Sequence, residues 1–146
     1  MTDASRKPEV READWVADGD AIRHIRESVF ISEQNVPPEL EWDEYDADST
    51  HFLAYDTKRD AVGTGRLQPD GKITRMAVLP VARGAGVGAA LLEALLYAAI
   101  HQGKAVPWLH AQSDAVGFYE SFGFTAVGEP FMEAGIEHRM MRLSRT

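Results

Sequence analysis

Three glycines at alternate positions, Gly84, Gly86 and Gly88, separate a strand-like run from an apolar run with helical spacing. Glycine leaves backbone amides uncovered, and a helix start gathers amides that lack internal acceptors at the positive end of the dipole. That chemistry cradles an anion, and a pyrophosphate is its natural occupant. Further along, Tyr119 carries a phenol whose ordinary pKa is about 10, an acid able to protonate a departing thiolate. It can equally pack with Phe118 and Phe122 as a core aromatic. Upstream, carboxylates stand at positions 33, 39, 41, 43, 44, 46 and 48, and no Lys or Arg falls between Arg26 and Lys58. Such a run is either a solvated loop or a rim that attracts a cationic amine. On the second reading Glu33 and Glu41 orient or deprotonate the amine, while Trp42 and Tyr45 supply apolar or cation–π contact.

These groups need a scaffold, and the spacing of apolar residues predicts one. Residues 9–15 read as an edge strand, and Ile22, Ile25 and Val29 predict a helix from about 19 to 34, stopped by Asn35-Val-Pro-Pro. Residues 39–48 read as a loop or helical turn. Thr50–Asp56, Ala61–Gln68 and Ile73–Leu79 read as successive strands. Residues 84–102 form the strongest helical pattern, with Val87, Leu91, Leu95 and Ala98 on one face and Gly103 as its stop. Trp108–Gln112 is a short strand, Ser113–Phe122 a helix, and Phe124–Val127 and Glu137–Leu143 the last strands. His51, His110 and His138 lie in or beside predicted strands, His24 and His101 on helices. The order is neither strict βα alternation nor all-β. A mixed α/β (α+β) arrangement, one sheet flanked by helices in a single domain, fits it.

Composition narrows the function. The 146 residues suit one domain that builds its core unaided. The chain has no cysteine, which excludes disulfides, thiolate metal sites and a cysteine nucleophile. Fifteen Lys and Arg against 23 Asp and Glu give a net charge of −8, which disfavours nucleic-acid backbones and anionic membranes. No run approaches the roughly 20 apolar residues of a membrane span, so a cytoplasmic protein is expected. No metal is called for.

The glycine turn admits three nucleotide readings. A Walker loop needs a lysine that this turn lacks. A dinucleotide fingerprint is formally met by Gly84-x-Gly86-x-x-Ala89, but residues 104–110 hold no acid for the ribose, and the chain has no room for a second half. The third is Arg83-x-x-Gly86-x-Gly88 directly after a strand. That pattern resembles motif A of the GNAT acetyltransferase superfamily. Ala115-x-x-x-Tyr119-Glu-Ser-Phe-Gly123-Phe124 resembles its motif B. The run from Arg26 to Pro37, then Glu41-Trp-Asp, His51 and Gly135-Ile-Glu-His138, is similar to the ElaA-like branch of that superfamily. The resemblance spans roughly residues 9–143, following an N-terminal tail of residues 1–8, with the domain assigned to 9–146.

The resemblance implies a mostly antiparallel GNAT-like sheet and an N-acetyltransferase that moves an acetyl group from acetyl-CoA, as co-substrate, to a small amine. The amine attacks directly within a ternary complex. It implies that Arg83, Gly84, Ala85, Gly86, Val87, Gly88 and Ala89 hold the pyrophosphate, and that the backbone of Met76, Ala77 and Val78 pairs with the pantetheine arm at a splay between strands. Gln112 stands where motif B often begins with Asn and is assigned to the cofactor. Tyr119 is the proton donor, with Glu33 and His138 as further catalytic candidates and Glu41, Trp42 and His51 on the acceptor side. A homodimer is admitted as a partner state. A non-catalytic acyl-CoA sensor is the alternative, because Ile73–Leu79 carries no carboxylate to serve as the base.

Overall fold

In the computed structural model, which describes residues 8–38, 42–103 and 106–144, the apolar runs become seven strands and three helices. The strands are β1 Glu9–Ala13, β2 Thr50–Tyr55, β3 Ala61–Leu67, β4 Lys72–Val78, β5 Trp108–Gln112, β6 Phe124–Glu133 and β7 Ile136–Leu143. They form one sheet in the order β1-β2-β3-β4-β5-β7-β6. Among the described residues every pairing is antiparallel except β4 with β5. The sheet is therefore the mixed, mostly antiparallel one expected, in a single domain. The expected tail over 1–8 falls almost wholly outside the described residues.

Helix α1, Gly19–Arg26, continues as a π segment, Glu27–Glu33, and together they fill the span predicted for one helix. Its Ile22, Ile25 and Val29 are buried against Leu53 of β2 and Ala77 of β4 on one sheet face. Helix α2, Val87–His101, covers the other face and buries Leu91, Leu92 and Leu95 against β2, β3 and β5. It approaches β3 closely because that strand carries glycine. A Cβ on Gly63 would lie 2.8 Å from Val87, and one on Gly65 would lie 2.8 Å from Leu95.

Two boundaries differ from expectation with consequences for function. Helix α2 begins at Val87, three residues after the predicted start, because Gly84 and Gly86 adopt φ of 85° and 81°, outside helical geometry. Strand β6 runs on to Glu133, where the sequence reading stops at Val127. Gly128 and Pro130 read locally as a break, yet the strand absorbs them in an irregularity between Val127 and Phe131 and then resumes pairing with β7. Ala134 and Gly135, with φ of 52° and 78°, close the hairpin as a two-residue turn. A 3₁₀ turn, Ser113–Ala115, leads into helix α3, Val116–Glu120, in place of the single longer helix expected.

Candidate active site

The parallel pairing of β4 with β5 covers two positions, Lys72 with Trp108 and Ile73 with Leu109, and the strands then separate. A bulge on the β3 side, where Arg75 and Met76 oppose Gly65 alone, sets Arg75 at φ 55° and bends β4 at the same level. The separation opens a cleft of about 1080 Å³. Met76, Ala77 and Val78 line it, and Ala77 and Val78 retain strand pairing with Thr64 and Gly63 of β3.

At one end of the cleft the turn before α2 presents its backbone. The first helical hydrogen bond runs from Ala90 N–H to Gly86 O at 3.0 Å, so the amides of Val87, Gly88 and Ala89 precede any helical acceptor. A Cβ built on Gly84 or Gly86 meets no atom within 4 Å. Those glycines are therefore required by their left-handed conformation, and the space before the amides is open.

Arg83, expected at the phosphate, makes a different set of contacts. Its Nε donates to Val78 O at 3.0 Å, and its two terminal nitrogens donate to Glu33 at 2.7 and 2.6 Å. That bidentate pair ties the end of the π segment to the glycine turn. The hydrogen bonds from Arg83 hold the Glu33 carboxyl below its ordinary range. A carboxylate so held is a weak base, which moves Glu33 from proton acceptor toward anchor. Beside it, Gln112 Nε2 donates to Gln34 Oε1 at 3.0 Å.

Tyr119 lines the cleft from α3, its hydroxyl donating to Met76 Sδ at 3.8 Å. Its ring meets Phe118 and Phe124 edge-on at 5.1 and 5.9 Å, so it is also the packing aromatic of the alternative reading. Burial pushes the phenol up to about 12.

The acidic lobe is where tertiary structure changes the reading most. Asp46 is buried and accepts from Arg26 at 2.7 Å and Arg66 at 2.8 Å. Asp43 accepts from Arg66 at 2.7 Å and from Arg75 at 3.1 Å. The run lacks basic residues locally, but three arginines from α1, β3 and β4 fold onto it. Trp42 lies against Arg26, whose guanidinium stands 4.8 Å from the ring centre. His51 is buried, stacked on Trp15 at 4.9 Å, with Nε2 2.7 Å from Asp46 O. Neither Trp42 nor His51 lines the cleft. Both expected acceptor residues instead support the arginine–aspartate network, while Glu41 lies outside the described residues. Glu44 and Asp48 remain exposed.

The opposite end of the cleft holds His138, named from the sequence as a catalytic candidate, together with His110 and with Glu133, which the sequence reading passed over. His110 of β5 places Nδ1 3.0 Å from Glu133 Oε1 at the end of β6. His138 of β7 places Nε2 3.7 Å from Glu133 Oε2 while its Nδ1 donates to Ile136 O at 2.7 Å. All three line the cleft. The signal for this cluster was the two-residue Ala134-Gly135 turn: a hairpin through it pairs 133 with 136 and 131 with 138. Stopping the strand at Val127 hid it. Among the described residues no group of three His, Asp or Glu is arranged to hold a metal ion.

Comparison with known proteins matches this architecture. A family model described as "Acetyltransferase (GNAT) domain" matches residues 16–145. The uncharacterized N-acetyltransferase YjcF of Bacillus subtilis is 42% identical over 122 residues, covering 81% of this chain and 86% of that protein. Among solved structures, an acyl-CoA N-acyltransferase from Pseudomonas aeruginosa superposes with a TM-score of 0.83 at 28% identity, covering 94% of this chain and all of that one. Escherichia coli ElaA superposes with a TM-score of 0.79 at 28% identity, covering 92% and 99%.

Proposed function

This chain belongs to the GNAT acetyltransferase family, in its ElaA-like branch, and on that premise we propose that it transfers an acetyl group from acetyl-CoA to a small amine by direct attack. The observation that carries the reading is one cleft joining an open amide cradle, parted strands and a half-buried phenol. Acetyl-CoA fits this donor set: its pyrophosphate suits the amides of Val87, Gly88 and Ala89, because Gly84 and Gly86 raise no side chain in front of them. When bound, acetyl-CoA supplies an activated acyl thioester.

The chain's residues then do three things. The cradle and the β4 backbone at Met76–Val78 fix the carrier, and β4 amides left without β5 partners polarise the acyl oxygen. Tyr119, raised to about 12, keeps its proton at neutral pH and remains available to donate at the sulfur position. The α1 side of the cleft, where Gln34 meets Gln112, admits the acceptor.

The proposed acceptor is cationic. Asp43 at the cleft is itself paired with Arg66 and Arg75, so the support for a cationic acceptor is the field of the exposed Glu44 and Asp48 and of the net charge of −8, which attracts counter-charged substrate. Calorimetric titration of acetyl-CoA, followed by free-CoA release against an amine panel, tests the reading. Binding with acceptor-dependent release supports it. Binding without release makes the protein an acyl-CoA sensor, and absence of binding overturns the cofactor assignment.

A further inference from the structure

We propose that His110, oriented by Glu133, is the base that takes the proton from the acceptor amine; the proposal rests on the acyl-transfer reading above. Strand register supplies the placement. Trp108, His110 and Gln112 alternate on β5 with Leu109 and Ala111, which are buried beneath α2. His110 therefore points to the α1 face, as does Gln112, which meets Gln34 there. It is also the first β5 residue beyond the last β4 pairing, so it stands where the cleft opens.

Hydrogen bonding then fixes which nitrogen does chemistry. A carboxylate only accepts, so His110 Nδ1, 3.0 Å from Glu133 Oε1, carries the proton and Nε2 holds the free lone pair. Glu133 holds the ring and stabilises the imidazolium once a proton arrives, as a carboxylate does behind any catalytic imidazole. Phe131 packs edge-on to the ring at 4.9 Å, and Trp108 does so at 5.6 Å. Lys72 of β4, its ammonium 5.1 Å over Trp108, is electrostatically coupled to Glu133 from across the cleft.

His138 does not serve this role. Its Nδ1 donates to Ile136 O, and its Nε2 lies 3.7 Å from Glu133 Oε2. Its side chain is 9% exposed against 23% for His110.

The step balances without a further reagent. An acceptor ammonium gives one proton to solvent, and its nitrogen lone pair forms the C–N bond as the C–S bond breaks. Of the two protons left on that nitrogen, one passes to His110 Nε2 and the other stays as the amide N–H, while Tyr119 protonates the departing sulfur. The imidazolium and the phenolate are then reset through solvent.

Two measurements test the assignment. In CoA-release assays with spermidine, benzylamine and L-lysine, His110→Gln should lower kcat by about 10²–10⁴-fold while the acetyl-CoA Kd is unchanged. Imidazole should partly restore turnover to His110→Ala. Wild-type protein that releases CoA with these amines, beside an equally active His110→Gln, overturns the dyad and leaves acyl transfer standing. Wild type that releases none with any of them overturns acyl transfer itself. Independently of turnover, ¹⁵N shifts of the neutral imidazole should show the Nδ1–H form for His110, switching to Nε2–H in Glu133→Ala. A wild-type ring in the Nε2–H form, or one indifferent to Glu133→Ala, also overturns the proposal.

Discussion

Replacing Asp46 with alanine removes the carboxylate on which two buried arginines converge. Arg26 and Arg66 are each 1% exposed, and each places Nη1 within 2.8 Å of Asp46 Oδ1. Asp46 also accepts from the Asp43 amide at 3.2 Å, so the same carboxylate shapes the turn that presents Asp43 to Arg66 and Arg75. Removing one partner of a buried pair costs about 3–5 kcal/mol, because the surviving charge stays desolvated without its counter-ion. At roughly 2–4 °C per kcal/mol for a chain near this length, the melting temperature should fall by about 6–20 °C. Asp48→Ala, at an exposed carboxylate, is the control and should stay within about 0.5 kcal/mol of wild type. The effect also has a sign in pH. Burial raises Asp46, but the hydrogen bond and charge of Arg26, with Arg66, outweigh it and leave the carboxyl below its ordinary value. Its stabilisation is then fully present above the unfolded value of about 3.9 and is lost as pH falls through the lower folded value. Thermal unfolding followed by circular dichroism, at pH 7 and in steps below pH 4, reads both. A variant that melts within about 2 °C of wild type at pH 7, or a difference that widens on acidification, would refute the reasoning and return Asp46 to the solvated surface.

Tyr119→Phe should lower kcat by about 10²–10⁴-fold with the melting temperature nearly unchanged, since the hydroxyl's partner in the fold is the weak acceptor Met76 Sδ; equal turnover would make Tyr119 a packing residue only. Gly86→Glu should abolish calorimetric binding of acetyl-CoA while the protein still folds, because a Cβ there meets open space and the left-handed backbone costs about 1–2 kcal/mol; undiminished binding would remove the cradle from the site. Amines matched in size but differing in charge should react fastest when cationic, with a KM that rises with salt; faster neutral or anionic acceptors, or a KM indifferent to salt, would reduce the acidic lobe to scaffold.

The sequence alone determined the parts whose chemistry is local. The spacing Arg83-x-x-Gly86-x-Gly88 after a strand specified a strand–turn–helix with uncovered amides, because positive φ and helix initiation are properties of a few adjacent residues. Alternation and helical periodicity likewise gave the order of elements and the apolar faces of α1 and α2, since burial repeats with each element's own period. The acidic lobe was misjudged because charge balance is settled in space: nothing near Asp46 along the chain announces Arg66, twenty residues away on β3. Arg83 met Glu33 for the same reason, across fifty positions. The base was hidden twice over. The pairing of β6 with β7 resumes beyond an irregularity that local propensity reads as a stop, and only that pairing carries Glu133 to His110. Local geometry is written in consecutive residues, whereas the partner of a charge or an imidazole exists only after distant strands have chosen their register.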